Sequence, residues 1–143
     1  MKRIFTLSAL LVSVAIFLGS CVRDQHYPSG HDESYWLNKE QGEVVYSDVY
    51  CSYYVVETYN GYNIVRAYGS YKPVEGAIVY GNFSSPGTRD MYNYTSGVVF
   101  TGTVTDTWLT YAAAQDALDY YCPYGKTDGS KREFKKSTLF DKK

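Results

Sequence analysis

The histidines are the side chains that acid–base or metal chemistry would use first in this chain, and both lie near its N-terminal end. His26 and His31 sit close to the acidic pair Asp32 and Glu33. A nucleophile–histidine site needs its base within hydrogen-bond reach, so it would have to recruit a histidine from the segment before the aromatic-rich body. No rigid element is predicted to orient these four side chains. We therefore expect a solvated linker, with neither a metal site nor a catalytic residue.

Other catalytic and ligand-binding patterns are weak. The body contains Glu57, Glu75 and Asp90 as isolated acidic candidates, and spacing alone does not show whether two of them meet as an acid–base pair. No glycine-rich phosphate loop precedes a helix. The net charge of −1 at pH 7 argues against nucleic acid as a partner. We expect no cofactor and a protein that is not an enzyme.

The N-terminus has the layout of an export signal. Lys2 and Arg3 precede an uncharged, mostly apolar run over residues 4–18. That run is short for a helix spanning the ~30 Å hydrocarbon core and fits a secretory signal. The string LGSC that ends at Cys21 resembles the lipobox of bacterial lipoprotein precursors, and the resemblance covers residues 1–21 only. It implies that the Cys21 thiol carries diacylglycerol, that the signal is cut just before it, and that the new N-terminus is acylated.

Lipid on Cys21 implies a stable membrane anchor, because two or more acyl chains hold a protein at a bilayer. The alternatives are an ordinary secretory signal cleaved nearby and an uncleaved N-terminal anchor. Val22, not aspartate, follows the cysteine, which in lipoproteins of the enteric type favours the outer membrane. We expect an exported protein that is lipid-anchored to the cell envelope at the outer membrane.

The resemblance also bears on the other cysteines, since the chain has three in all. If lipid consumes Cys21, Cys51 and Cys122 remain as a pair in an oxidising compartment. A bridge between them would close a loop of about 70 residues and add roughly 4 kcal/mol in the chain-entropy model. We expect this disulfide. The alternative is two buried, unpaired thiols.

Composition divides the chain into four segments. Residues 1–20 are the predicted signal peptide. Residues 21–42 are polar and indicate a lipidated tether, although Trp36 and Leu37 within it could still dock on the domain. Residues 43–124 form the predicted β-rich domain with one helix. Residues 125–143 are lysine-rich, and we expect a basic tail or a final edge strand there.

A predicted β-hairpin places four tyrosines on one face. Asn60-Gly61 between two β-rich runs is the favoured two-residue turn. In that register Glu57 and Arg66 occupy diagonal positions on one face, where they can pair in water. The same face carries Tyr53, Tyr59, Tyr62 and Tyr68.

These four tyrosines, with Arg66, are the candidate binding face. Tyrosine offers contact area at small entropic cost and a hydroxyl at the rim, which suits a glycan or an envelope protein. The alternative is a row of rings that only shield their neighbours or lie under another element. We expect the face to stay wet, since an unpaired buried charge is costly. Val56 and Val65, on the opposite face, are then predicted to pack under Leu118 or its neighbours on the helix.

The remaining elements come from hydrophobic periodicity. Strands are predicted at Val44–Tyr50, Ala77–Phe83 and Val98–Thr105, with a loop over Ser84–Asp90. Thr110 is the predicted N-cap of a helix over residues 111–121 that Pro123 ends. The apolar face of this helix contains Ala114, Ala117, Leu118 and Tyr121.

The sequence therefore predicts an α+β fold. Its main part is an antiparallel β-sheet of about five strands, with one helix from the C-terminal half packed on it. A sandwich capped by the helix is the alternative. Three function classes stay open: a non-catalytic binding or assembly module, a purely structural envelope lipoprotein, and a small hydrolase or inhibitor-type lipoprotein. The tyrosine face favours the binding module.

Overall fold

The computed structural model describes residues 32–124 and 132–140, so Cys21 and the predicted signal peptide lie outside the described residues. Six antiparallel strands form a closed barrel in this part of the chain. The strands are β1 (Glu40–Ser47), β2 (Tyr53–Thr58), β3 (Gly61–Ala67), β4 (Ile78–Gly81), β5 (Gly87–Asn93) and β6 (Val98–Leu109). Two helices flank them: α1 (Glu33–Leu37) and α2 (Tyr111–Tyr121).

The strands follow one another around the barrel in the order β1-β2-β3-β6-β5-β4, and β4 pairs with β1 to close it. The predicted antiparallel, mainly β character is confirmed. Two finer predictions need correction. The sheet has six strands where about five were predicted, and it closes into a barrel where an open sheet under one helix was predicted. The additional strand, β5, begins at Gly87, inside the predicted loop Ser84–Asp90. Its first residues are polar and half exposed, and only Met91, Tyr92 and Asn93 are buried.

The barrel interior, which we call the barrel core, is almost wholly apolar. It consists of Val44, Tyr54, Val56, Val65, Ala77, Val79, Phe83, Met91, Phe100 and Val104. A glycine on a facing strand makes room for the largest of these side chains. A Cβ on Gly102 would lie 3.0 Å from both the Tyr54 hydroxyl oxygen and a Val65 methyl carbon. A small barrel therefore needs glycine there so that the tyrosine ring fits inside.

The β2–β3 hairpin turns one residue earlier than predicted. Thr58 pairs with Gly61, so Tyr59 and Asn60 form the two-residue turn instead of Asn60-Gly61. Gly61 has φ +124°, and a Cβ on it would lie 2.8 Å from the Leu109 carbonyl oxygen. Strand β6 therefore requires glycine at this position, because its backbone passes too close for a side chain.

This shift leaves each residue on its predicted face of the hairpin, because side chains alternate along both strands. Val56 and Val65 are fully buried in the barrel core. The prediction that Leu118 or its neighbours on the helix cover them is wrong. Leu118 packs outside the barrel, in a cluster with Val55 and Ile64 from the opposite face.

That second cluster, which we call the outer core, lies between the barrel, α2 and the C-terminal segment. Its members are Val45, Tyr46, Cys51, Val55, Tyr62, Ile64, Ala114, Leu118, Cys122 and Phe134. Helix α2 has its predicted bounds, and the side-chain oxygen of its N-cap Thr110 accepts a hydrogen bond from the Ala113 N–H at 3.3 Å. The N-cap residue and the spacing of apolar residues within the segment were enough to predict this helix and its ends.

The disulfide Cys51–Cys122 is confirmed, with Cα atoms 5.7 Å apart and a sequence separation of 71. It joins the β1–β2 loop to the residue that follows α2. The link therefore fastens the helix to the barrel at the edge of the outer core.

Residues 132–140, which we call the tail segment, lie along the outside of the barrel. Phe134 is buried in the outer core. The Ser137 hydroxyl donates to the Glu43 carboxylate at 2.7 Å, and its N–H donates to Glu57 at 2.6 Å. Glu43 and Glu57 are cross-strand neighbours, so this serine satisfies two adjacent carboxylates.

The start of the described chain also packs on the barrel. Trp36 of α1 is buried and stacks on Tyr92 of β5, with ring centroids 6.1 Å apart and an interplanar angle of 25°. The Tyr92 hydroxyl donates to Glu33 at 3.4 Å. Burial and the nearby Glu33 carboxylate raise the pKa of Tyr92. Strand β1 begins at Glu40, so the predicted tether over residues 21–42 contains both α1 and the first residues of the barrel.

Candidate functional site

The four tyrosines of the candidate binding face have unlike surroundings. Tyr62 is only 7% exposed and lies against Tyr111 and Phe134. Tyr53 is half-buried and stacks on Tyr121 with ring centroids 4.4 Å apart. The expectation of a wet tyrosine row is wrong for its centre, because α2 and the tail segment cover it.

The other residues of that face are exposed but lie apart. Tyr59 is in the β2–β3 turn, whereas Tyr68 follows the far end of β3; they are 71% and 65% exposed. Arg66 is exposed near the end of β3 that carries Tyr68. The Glu57 carboxylate accepts a hydrogen bond from the Ser137 N–H at 2.6 Å, from the tail segment and not from the strand that carries Arg66. The structure therefore does not join Tyr53, Tyr59, Tyr62, Tyr68 and Arg66 into one open surface.

An open groove lies instead at the end of the barrel that carries the β2–β3 turn. Four chain segments form it: residues 35–40, the turn at Asn60, the β4–β5 loop and the start of β5. It consists of two adjoining cavities of about 450 and 370 Å³ that share Lys39, Gly81 and Asn82. Both volumes lie in the range of ~300–1,000 Å³ that is usual for small-ligand pockets.

The Glu40 carboxylate holds these segments together. One of its oxygens accepts from the Phe83 N–H at 3.1 Å and from the Ser84 hydroxyl at 2.9 Å. The other accepts from the Asn60 side-chain amide at 3.2 Å. Charged acceptors make the stronger hydrogen bonds, so Glu40 fixes the wall of the groove between the turn and the β4–β5 loop.

Trp108 stands beside this wall in an unusual backbone conformation. Its φ is +56°, and among the described residues it is the one non-glycine with positive φ. A non-glycine residue in this region costs roughly 1–3 kcal/mol. The Trp108 N–H donates to the buried Asn63 side chain at 3.2 Å, and the indole N–H donates to Ser84 at 3.4 Å. The side chain is nevertheless 59% exposed.

The charges that line the groove balance one another. Lys39 and Arg89 are the cations, and Glu40 and Asp90 are the anions. The Lys39 ammonium lies 4.4 Å from the centroid of the exposed Tyr35 ring, and Asp90 accepts from Thr101 at 2.7 Å. The groove therefore has polar groups of both signs without a dominant field.

The sequence pattern does not predict this groove: it marks Asn60 only as a turn residue and Asp90 only as an isolated acidic candidate. The groove residues come from segments far apart in the chain, and no local spacing connects Glu40 with Asn60 or Ser84. Trp108 follows the polar residues Thr105, Asp106 and Thr107, but tryptophan is usually well buried, so the sequence does not predict that its ring is exposed.

Within residues 32–124 and 132–140, no group of three or more His, Cys, Asp or Glu side chains could hold a metal ion. In the same part of the chain, no helix is both long and apolar enough to cross a membrane.

Comparisons with known proteins gave no relatives: no family model, no curated protein and no solved structure matches this chain.

Proposed function

We propose that this chain is an exported lipoprotein whose barrel is a non-catalytic binding module at the cell envelope. The observation that carries this proposal is the Cys51–Cys122 disulfide. It accounts for two of the three cysteines and leaves Cys21, in the lipobox-like string LGSC, for lipid attachment. Disulfides persist in oxidising compartments outside the cytoplasm, so the bond and the signal support the same location.

The groove supports binding better than the tyrosine face does. A binding site is normally concave and combines aromatic surface with a few placed polar groups. The groove has this combination, since Tyr35 and Asn82 line it and Trp108 stands beside it. The hydrogen bonds of Glu40 hold its wall in place before any ligand arrives. The expected partners are an envelope glycan or an envelope protein.

Replacement of Cys21 tests the anchor. Cys21→Ala should abolish lipid attachment and move the protein from the detergent phase to the aqueous phase in a partition experiment. Mass spectrometry of the wild-type N-terminal peptide should show acyl chains on residue 21. The double variant Cys51→Ala/Cys122→Ala is the matched control, because it removes two thiols and should still partition into detergent. Unchanged partitioning of Cys21→Ala would contradict the lipoprotein proposal.

A further inference from the structure

We propose that the groove binds a neutral carbohydrate chain and that the Trp108 ring is the platform on which one sugar stacks. This inference rests on the proposed function, since it names the ligand class of the binding module. Three features support it: the exposed ring beside the groove, the polar groups of the groove wall and the balance of charge in the groove.

The first feature is the way in which the ring is displayed. Trp108 has φ +56° and is 59% exposed, although tryptophan is usually well buried. Asn63, which is fully buried, accepts the Trp108 N–H and so holds this backbone in place. Strained residues of this kind concentrate at binding sites, where the surrounding structure enforces them. A flat aromatic face matches the apolar C–H face of a sugar ring.

The second feature is the set of polar groups beside the ring. A sugar hydroxyl both donates and accepts, and so does a side-chain amide. Asn60 and Asn82 line the groove, and the Asn82 amide makes no hydrogen bond to any residue that the structure describes. Ser84 already links the indole N–H to the Glu40 carboxylate. Hydroxyls of a sugar on Trp108 would therefore meet acceptors and donors along one wall.

The third feature is charge. Two cations, Lys39 and Arg89, face two anions, Glu40 and Asp90. A site for phosphate or an acidic polymer would have more cations than anions. In this groove their numbers are equal. Two adjoining cavities give room for more than one sugar unit. Neutral oligosaccharides therefore fit better than acidic ones.

The binding test uses the full-length protein in a detergent without sugar head groups. Isothermal titration with maltohexaose, cellohexaose, mannohexaose, xylohexaose and chitohexaose should show binding of at least one. Trp108→Ala should weaken that binding at least about tenfold, and Asn82→Ala should weaken it less. Tyr120→Ala is the matched control, because Tyr120 is an exposed aromatic of α2 outside the groove. It should leave the affinity unchanged.

A second variant separates a binding role for Trp108 from a structural one. Trp108→Gly keeps the N–H that Asn63 accepts and removes the strain, because glycine adopts positive φ freely. We expect a higher unfolding midpoint in urea together with loss of oligosaccharide binding. A lower midpoint with binding retained would mean that the ring supports the fold, which would overturn the inference.

Other outcomes also decide between the proposals. Failure of all five neutral hexasaccharides to bind, or binding that Trp108→Ala leaves intact, would overturn the carbohydrate assignment. So would binding of an acidic oligosaccharide such as a polygalacturonate hexamer alone, or of peptides alone. In each case the lipoprotein proposal would stand or fall separately, on the partitioning of Cys21→Ala.

Discussion

Val55 and Val56 are neighbours on β2, yet they pack in two different regions of the molecule. Val56 points into the barrel core and Val55 into the outer core, and both are fully buried. Strands that are hydrogen-bonded to each other enclose the barrel core on every side. The sheet forms only one side of the outer core, and α2 and the tail segment form the other sides.

The two regions therefore depend on different interactions. The barrel core is stabilised by the packing of side chains inside a closed sheet, where a void cannot collapse easily. The outer core is held together by a disulfide, by Arg132 and by hydrogen bonds of Ser137. We expect changes in the first region to unfold the whole domain. Changes in the second should loosen α2 while the barrel persists.

The largest effect is expected from a matched pair of phenylalanines. Phe83→Ala in the barrel core should lower the free energy of unfolding by up to about 5 kcal/mol, because the lost side chain leaves a void. Phe134→Ala in the outer core should cost about half as much, because the tail segment can move into the space. Urea denaturation of both variants measures the difference. Equal losses would contradict the distinction between the two regions.

Removal of the disulfide should have the next largest effect. Cys51→Ser/Cys122→Ser should cost about 4 kcal/mol through the entropy of the unfolded chain. Hydrogen exchange should show lower protection in α2 than in β2 and β3, because the bond fastens the end of the helix to the barrel. The control is Cys21→Ser. Equal loss of protection in helix and strands would show that the barrel depends on the bond as well.

Arg132 gives a smaller test of the same region. Its guanidinium donates to the Tyr46 hydroxyl, to the Cys122 carbonyl and to the Tyr124 carbonyl, and it pairs with Asp119 at 3.6 Å. Arg132→Ala should cost about 2 kcal/mol, because a charged donor at the C-terminal end of α2 is lost.

Arg132→Lys should restore only part of that stability, since an ammonium lacks the planar fork of the guanidinium. Lys135→Ala is the control, because Lys135 is exposed in the same segment. Thermal unfolding followed by the helical circular dichroism signal measures all three variants. A loss as large for Lys135→Ala as for Arg132→Ala would mean that net charge, not the bonded network, is responsible.

The smallest effect at neutral pH should come from the barrel-core tyrosine. Tyr54→Phe should change stability by less than about 1 kcal/mol near pH 7, because the hydroxyl donates only a weak hydrogen bond, to the Met91 sulfur at 3.9 Å. Burial, and then the neighbouring Tyr71, raise the pKa of Tyr54 far above its usual value. Above about pH 10 the unfolded chain ionises this group and the folded chain does not, so stability falls as pH rises.

Tyr54→Phe should therefore lose less stability than the wild type between about pH 9 and pH 11. Burial lowers the pKa of Lys72, which makes stability rise with pH below about 10.5, but this contribution is the same in both proteins. Urea midpoints across this range measure the effect, with Tyr68→Phe as the exposed control. Parallel alkaline losses in wild type and Tyr54→Phe would contradict burial of the neutral hydroxyl.

Local determinants explain which elements the sequence could predict. Helix α2 was predicted with its bounds because Thr110 and Pro123 mark its ends within the chain itself. The Cys51–Cys122 pairing followed from the cysteine count and the lipobox resemblance. Strand β5 was missed because its outward residues are polar and its apolar ones come late in the strand.

Non-local contacts explain the rest. Closure depends on β1 pairing with β4, which no local pattern announces. Gly61 was placed in the centre of a turn, although the reason for glycine there is the approach of Leu109 from β6. The groove is invisible to sequence reasoning for the same cause, since Glu40 and Ser84 meet only after the barrel has formed.

The order of strands around the barrel also fixes the order of events during folding. Strand β6 is the last strand in the part of the chain that the structure describes, and it pairs with β3 on one side and β5 on the other. Until residues 98–109 join the sheet, the other five strands can form only an open sheet with two unpaired edges. Cys122 comes later still, so the Cys51 thiol waits for its partner through the same interval. Closure of the barrel and oxidation of the cysteines are therefore late steps. Proteins dominated by such non-local strand pairings fold in about milliseconds to seconds.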